Sequence, residues 1–493
     1  MRGAARTILM ASVGALALGA TPATADTLQE ALTEAYFNNP TLLAARAQQR
    51  ATDENVPLER SSGLPQVTGN AGYTEFLVGA SDNGPDRVFG AGVDLGVPLY
   101  SGGAVRNSIA AAETRVQAGR ADLRATESAI FSRVVAAYMD VLRNQALVSL
   151  SANQVDILGT NLQATSDRFE IGDLTRTDVA QSESRLALAR GDLRSAEANL
   201  INARETYIAL VGEAPDDLQP PPPLPNLPDD VETAVDVALA NNPDLIAAIE
   251  RAEAAGYDVD VAGAGRLPTV SVFAGYDYSN ALGSLRAPIA NPTLVIPQSG
   301  SDATAGVNVR IPIFQGGRVG ALQRQAQARE SVALERVIEA ERDAIANVRA
   351  AWSSWRASLA IIESSQIAVS AAELSLEGVR AENSIGNRTI LEVLNAEQEL
   401  LSARVQLVTA RRNAYVAGFT LLAAMGRAEA RDLGLADEGV LYDPVDNYDR
   451  VRGKIWDWDR DPDPVTQATS TADVPAPDAS VESADEIDGV PRY

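Results

Sequence analysis

The 493-residue chain contains no cysteine and no histidine. Without cysteine there are no disulfides, no thiol chemistry and no lipid-modified cysteine behind a signal sequence. Without histidine the commonest metal ligand and general base is missing. No nucleophile constellation takes its place, so the expectation is a protein that is not an enzyme, with no cofactor and no metal.

Long apolar runs are scarce. Residues 8–20 carry no charge, but they fall short of the roughly 20 residues a membrane helix needs and are broken by Gly14 and Gly19. With Arg2 and Arg6 ahead and Ala23-Thr24-Ala25 behind, residues 1–25 read as a secretory signal peptide. No later stretch reads as long and apolar enough to span as a helix, so any membrane crossing falls to strands. Basic excess is also lacking. Removing residues 1–25 takes away two arginines and no acid, which leaves 39 basic against 66 acidic residues, a net charge of −27. That charge repels nucleic acid, and no basic patch with interleaved aromatics offsets it. Gly453-Lys454 runs into Ile455 with no glycine five residues before it, and Gly90-Ala91-Gly92 has the wrong spacing for a dinucleotide loop.

What is present is a repeat. Asn38-Asn39-Pro40 returns as Asn241-Asn242-Pro243, Leu64-Pro65 as Leu267-Pro268, and Gly72-Tyr73 as Gly275-Tyr276, all at an offset of 203. Pro98, Gly102-Gly103, Gly172 and Gly212 return as Pro312, Gly316-Gly317, Gly386 and Gly426 at an offset of 214. The proline-rich residues 220–229 read as a linker between repeat 1 (26–219) and repeat 2 (230–426). Each copy opens with a short helix, from Thr27 to about Arg50 or from Asp230 to about Ala255. A β-hairpin follows, at about 65–98 or 268–313. Two long helices come next, at about 101–170 and 175–212, then at about 315–384 and 389–426.

The hairpins carry the membrane signal. Phe89, Ala91, Val93, Leu95 and Val97 alternate with Gly90, Gly92, Asp94 and Gly96. Ala305, Val307, Val309, Ile311 and Ile313 alternate likewise, as do Val270, Val272, Ala274, Tyr276 and Tyr278, with Phe273 as the exception; Val67 to Tyr73 alternates more weakly. Successive strand side chains face opposite ways, and about 9–11 residues cross a bilayer as a tilted strand. A soluble sheet with one face on a core shows the same alternation. Four strands cannot close a barrel in lipid. Two copies would give about eight strands with a filled interior, and three copies about twelve with room for a pore.

The helices are patterned in sevens. Val134, Val141, Val148, Val155 and Leu162 are echoed by Val348, Trp355, Ile362, Val369 and Leu376. After each turn, Val179, Leu186, Leu193, Leu200 and Tyr207 are echoed by Val393, Leu400, Leu407, Ala414 and Leu421. That spacing predicts coiled-coil packing, and a proline-free run from Ser101 to Phe169 predicts a helix on the order of 100 Å long.

Taken together, the Asn-Asn-Pro helices, the Pro-x-x-x-Gly-Gly starts of the long helices and the two turn motifs resemble the TolC family of outer-membrane efflux and secretion proteins. The turns are Gly172-Asp173-Leu174-Thr175-Arg176-Thr177-Asp178-Val179 and Gly386-Asn387-Arg388-Thr389-Ile390-Leu391-Glu392-Val393-Leu394. The resemblance covers roughly residues 27–455. It implies a mainly α fold with a β-barrel part, in which a homotrimer shares one barrel above an α-helical tunnel. It implies an outer-membrane site with a long periplasmic extension, and partners in outer-membrane lipid, a periplasmic adaptor and an inner-membrane transporter. The function implied is a passive exit duct of a tripartite efflux or type I secretion system. The alternative reading is a structural coiled-coil envelope protein, an adhesin or scaffold without channel activity.

The resemblance also assigns residues at the tunnel's periplasmic mouth. Thr177, Asp178 and Arg388 match a latch, Glu392 a carboxylate ring, and Gly172 and Gly386 the turn glycines. Asn383 stands where a latch tyrosine can occur and Asn395 where a second ring aspartate can occur, which implies a looser mouth with one ring. In a trimer, one carboxylate per chain would focus a negative field on the axis. The plainer reading makes Asp178 and Glu392 helix N-terminal charges favoured by the macrodipole. Residues 427–460 read as the mid-tunnel, equatorial-type C-terminal segment, and 461–493 as an acidic disordered tail.

Overall fold

The computed structural model describes residues 27–77, 84–285, 294–435 and 441–481. The expected signal peptide and the last residues of the tail lie outside them. Three helices lead in: α1 (Leu28–Asn38), α2 (Pro40–Asp53) and α3 (Asn55–Ser61). Strands β1 (Gln66–Glu75) and β2 (Arg87–Tyr100) follow, then α4 (Ala104–Glu170) and α5 (Arg176–Val211). The second copy runs α6 (Val231–Asn241), α7 (Pro243–Ala264), β3 (Thr269–Asn280), β4 (Ser299–Arg310), α8 (Arg318–Ser384) and α9 (Ile390–Ala424). Helix α10 (Pro444–Val451) is the last regular element among the described residues.

Each short helix is split, for a reason written in the motif. Proline at the first helical position tolerates no preceding helical turn but starts a new one well. Asn39 caps α2 by accepting from the amides of Thr41 and Leu42 at 3.0 and 3.3 Å, and its side-chain amide donates to the Leu210 carbonyl at 2.9 Å. Asn242 repeats this in the second copy, accepting from Leu245 and donating to the Ala424 carbonyl, both at 3.0 Å. One side chain thus starts a helix and pins it to the end of the same copy's last long helix.

The four strands form one antiparallel sheet in the order β1-β2-β3-β4. Its register turns the alternation into two faces. Val67, Leu95, Ala274 and Ala305 stand in one rank; Thr68, Asp94, Gly275 and Thr304 stand in the next, on the opposite face. The odd Phe273 lies on the small-residue face opposite Gly306, where a Cβ would come within 2.9 Å of the ring. Glycine there makes room for the ring. The alternating run at 305–313 overlaps β4 only in part. Pro312 has no N–H for a ladder, so the strand ends at Arg310 and instead reaches back through 299–304 by pairing with β3.

The helices α4 and α8 each hold 67 residues, about 100 Å at 1.5 Å per residue. The main core lies part-way down, where α1, α4, α5, α9 and residues 428–435 enclose Phe131, Val134, Tyr138, Leu200, Tyr415 and Phe419. Polar links cross between the copies. Asp140 of α4 receives two bonds from Arg412 of α9 at 3.0 and 2.9 Å, and Arg115 and Asp122 of α4 pair with Asp258 and Arg251 of α7. Against the expectation of none, α8 contains one stretch long and apolar enough to cross a membrane. Only 22% of that stretch is buried within the protomer, so packing on α9 accounts for a part of its apolarity and leaves the rest exposed. Beyond Asp461 the described chain has no helix or strand. Arg204 of α5 holds it by bonds to the Asp478 carboxylate and carbonyl and the Ser480 carbonyl.

Candidate functional site

The far ends of the four long helices meet in two turns built alike. After α4, Gly172 takes φ +85°, and the Asp173 amide reaches back to the Arg168 carbonyl at 2.9 Å. After α8, Gly386 takes φ +80°, and the Asn387 amide reaches the Glu382 carbonyl at 2.9 Å. Only glycine adopts this left-handed helix ending at little cost. Each turn then restarts as a helix through a capping box. Thr175 and Asp178 exchange bonds at the start of α5, as Thr389 and Glu392 do at the start of α9.

Both acids of the expected site are therefore N-terminal carboxylates in one protomer. The Thr175 hydroxyl and amide hold the Asp178 carboxyl below its ordinary range. The Thr389 amide, together with Arg388 and the Thr389 hydroxyl, brings Glu392 down to about 2. Arg388 donates to Glu382 and to Glu392, each at 2.6 Å, and these two carboxylates raise its pKa further. Among the described contacts of one protomer, Arg388 joins these two acids of its own turn rather than Thr177 or Asp178. Thr177 is exposed. Asn383 donates to the Arg388 carbonyl at 2.8 Å, so it shapes the turn that carries the arginine.

Two further links join the helix pairs just inside the turns, and the sequence reading missed both. Glu397 of α9, almost fully buried, accepts from Asn161 of α4 at 2.8 and 3.0 Å and from Arg380 of α8 at 3.0 Å. Arg185 of α5 donates to Asn395 of α9 at 2.9 Å. Leu394 packs between them against Leu158, Leu186 and Ala189. One signal for Glu397 was available: it stands three, four and seven residues after Leu394, Val393 and Ile390, where the helical stripe calls for an apolar side chain.

A two-faced sheet continued by paired helices of about 100 Å, ending in acidic turns, is the build of a membrane-anchored duct. Residues 31–213 and 234–427 match the family described as outer membrane efflux protein, and the chain belongs to it. It is 35% identical over 436 residues to the outer membrane efflux protein BepC of Brucella suis, covering 88% of this chain and 92% of that one. It is 28% identical over 415 residues to the outer membrane protein TolC of Vibrio cholerae, covering 83% and 92%. In fold it is similar to the outer membrane protein VceC of Vibrio cholerae, with a TM-score of 0.69 at 23% identity over 81% of this chain and 96% of that one. The protein is thus an outer-membrane exit duct of TolC-like fold, with long periplasmic helices. The reading as a structural coiled-coil protein is not favoured.

Proposed function

We propose that three copies close one barrel and one tunnel, and that the duct is driven by an inner-membrane transporter through a periplasmic adaptor, as the TolC resemblance implies. The observation that carries the trimer is the open sheet. Strands β1 and β4 are its edges, and unpaired strand edges are not tolerated in lipid. Pairing β4 of one copy with β1 of the next removes every edge, and three copies give about twelve strands and a wet lumen. Catalysis has no part in this reading, in keeping with a chain that lacks histidine and cysteine.

The mouth is the ring of Gly172 and Gly386 turns. Glu392 supplies one carboxylate per chain around the axis, and Asp178 with Thr177 faces a neighbouring Arg388 across the protomer boundary. Support comes from the exposure of Thr177 and Arg388, the half-exposure of Asp178 and Glu392, and the placement of both acids on helix starts. The same duct serves small molecules or secreted proteins, with the choice left to the partners. Purified protein migrating as an SDS-resistant trimer and conducting in a planar bilayer is the expected result. A monomer that passes no ions defeats the reading. Asp178→Ala and Arg388→Ala each raise single-channel conductance if the latch crosses protomers; unchanged conductance in both removes it.

A further inference from the structure

The protein has four tryptophans, used in opposite ways. Trp352 and Trp355 of α8 meet edge to face at 5.4 Å and pack against a cluster that includes Ala234, Val348 and Leu421. Trp456 and Trp458 stand bare, 71% and 84% exposed, beside Ile455 at 71%. They do not sit on loose chain. Arg450 grips Asp461 through two bonds of 2.7 and 2.8 Å, closing the neck of a loop over residues 452–461. Within it Lys454 reaches Asp459 at 3.0 Å, and the Asp459 amide donates to the Trp456 carbonyl at 3.1 Å. The indoles are displayed on a fixed turn.

The loop's place is set by its neighbours. Asn447, early in α10, bonds Asp53 at the end of α2, and the Arg452 carbonyl just after α10 accepts from Arg60 of α3 at 3.1 Å. So α10 packs along the end of α2 and runs toward α3, whose Arg60 reaches its far end. At Gly63, three residues after Arg60, an added Cβ would lie 3.0 Å from Val105 at the head of α4, and β1 begins at Gln66. Tyr448 of α10 clusters with Ala112 and Val116 of α4, about two to three turns from that helix's head, so the loop leaves α10 a short way below the strands, whose near ends expose Leu99 and Tyr100. This is the level at which a strand-spanning protein meets the periplasmic headgroups, and tryptophan is favoured there because its ring is apolar with one polar N–H.

We propose that residues 455–458 form an interfacial anchor, with Trp456 and Trp458 seated in the periplasmic leaflet of the outer membrane. The anchor joins the C-terminal segment to lipid and fixes the depth of the barrel from outside it. This rests on the strands being the membrane span. The partner is a lipid surface, not a second protein: the tip exposes Ile455, Trp456 and Trp458, and the loop's ion pairs run to its own residues and to Arg450 of α10.

The strands contain no tryptophan, and Trp352 lies 34 residues into α8, about 50 Å from its head. Lipid-borne quenching of tryptophan therefore reports the loop. Full-length protein is reconstituted into phosphatidylcholine–phosphatidylglycerol vesicles with bromines at the upper acyl carbons. Bromolipid is expected to remove about half of the tryptophan emission, and a Trp456→Ser/Trp458→Ser double variant to lose that quenching while still floating with the vesicles. Protein that floats but is unquenched overturns the anchor and spares the membrane span. Shielding from both bromolipid and aqueous iodide would mean that the indoles are covered by a neighbouring copy, which also overturns it. Protein that does not float overturns the span, and the anchor with it.

Discussion

Helices α4 and α8 occupy equivalent places in the two repeats and have the same length, yet they are covered very differently. Helix α4 is packed by α1, α2, α3, α5, α7 and α9, and the C-terminal segment adds Glu429 on Arg124 and the Ala430 amide on Glu127. Helix α8 is packed by α6, α7 and α9. The consequence shows in the large apolar side chains left exposed: Phe169 alone on α4, but Leu322, Val332, Leu334, Ile338, Ile361, Ile367 and Leu374 on α8. Burial follows sequence at matched places, with fully buried Val135 of α4 standing where α8 has the exposed Arg349. Large apolar side chains left bare in such number mark a surface that meets a partner. The first repeat's long helix is covered within its own protomer, and under the proposed trimer α8 keeps its bare side chains for other copies.

That contrast is open to direct measurement. The largest effect is expected from Ile367→Asp/Leu374→Asp, two exposed positions seven residues apart on α8. The double change abolishes the SDS-resistant oligomer and the conductance while leaving helical circular dichroism intact; a surviving trimer would show that this stripe faces solvent. Next, Phe131→Ala in α4, where the side chain is fully buried, lowers stability by about 3–5 kcal/mol in denaturant unfolding. The matched Ile345→Ala in the half-buried part of α8 costs about 1–2 kcal/mol, and equal losses would erase the contrast.

The C-terminal cover on α4 has its own signature. Burial pushes the Glu127 carboxyl up to about 7 from an ordinary 4.5, with Glu429 adding to the rise and the Ala430 amide opposing it. A raised carboxyl means the folded state holds the proton more tightly, so its contribution is fullest below pH 4.5 and is lost as pH rises through 7. Glu127→Gln is expected to remove about 3 kcal/mol of that pH dependence between those limits, read from unfolding at several pH values. A smaller change concerns the turns. Because Glu392 is lowered to about 2, its contribution is present above its ordinary 4.5 and disappears only as pH falls toward 2. The mouth's cation preference should persist at pH 4 and be lost in Glu392→Gln, measured as reversal potential. The smallest effect is Asn161→Ala, which removes one donor to Glu397 and costs about 1 kcal/mol.

Much of this was legible because it is local. Gly172 and Gly386 announce helix endings, whereas Asn39-Pro40 and Asn242-Pro243 lie inside stretches that read as one short helix each and show themselves as caps only in the structure. What was not legible depended on residues far apart in sequence. Residues 299–304 read as loop because they alternate poorly, and β3 makes them a strand. Arg388 carries a charge whatever the fold, but only the turn decides that Glu382 and Glu392 receive it. Asn395, lacking the charge of a ring aspartate, instead takes a bond from Arg185.

By itself, then, the sequence determined the repeat, the period of two in the strands, the period of seven in the helices, and the chemistry of caps and turns. These are short-range features, set by backbone geometry and by which side chains can satisfy it. Tertiary contacts settled that Glu397 is buried in a three-helix link, that α8 is left partly uncovered, and that Trp456 and Trp458 stand bare while Trp352 and Trp355 are half-buried against Ala234, Val348 and Leu421. Burial and contact depend on which distant segments arrive at the same place, and no local pattern carries that information.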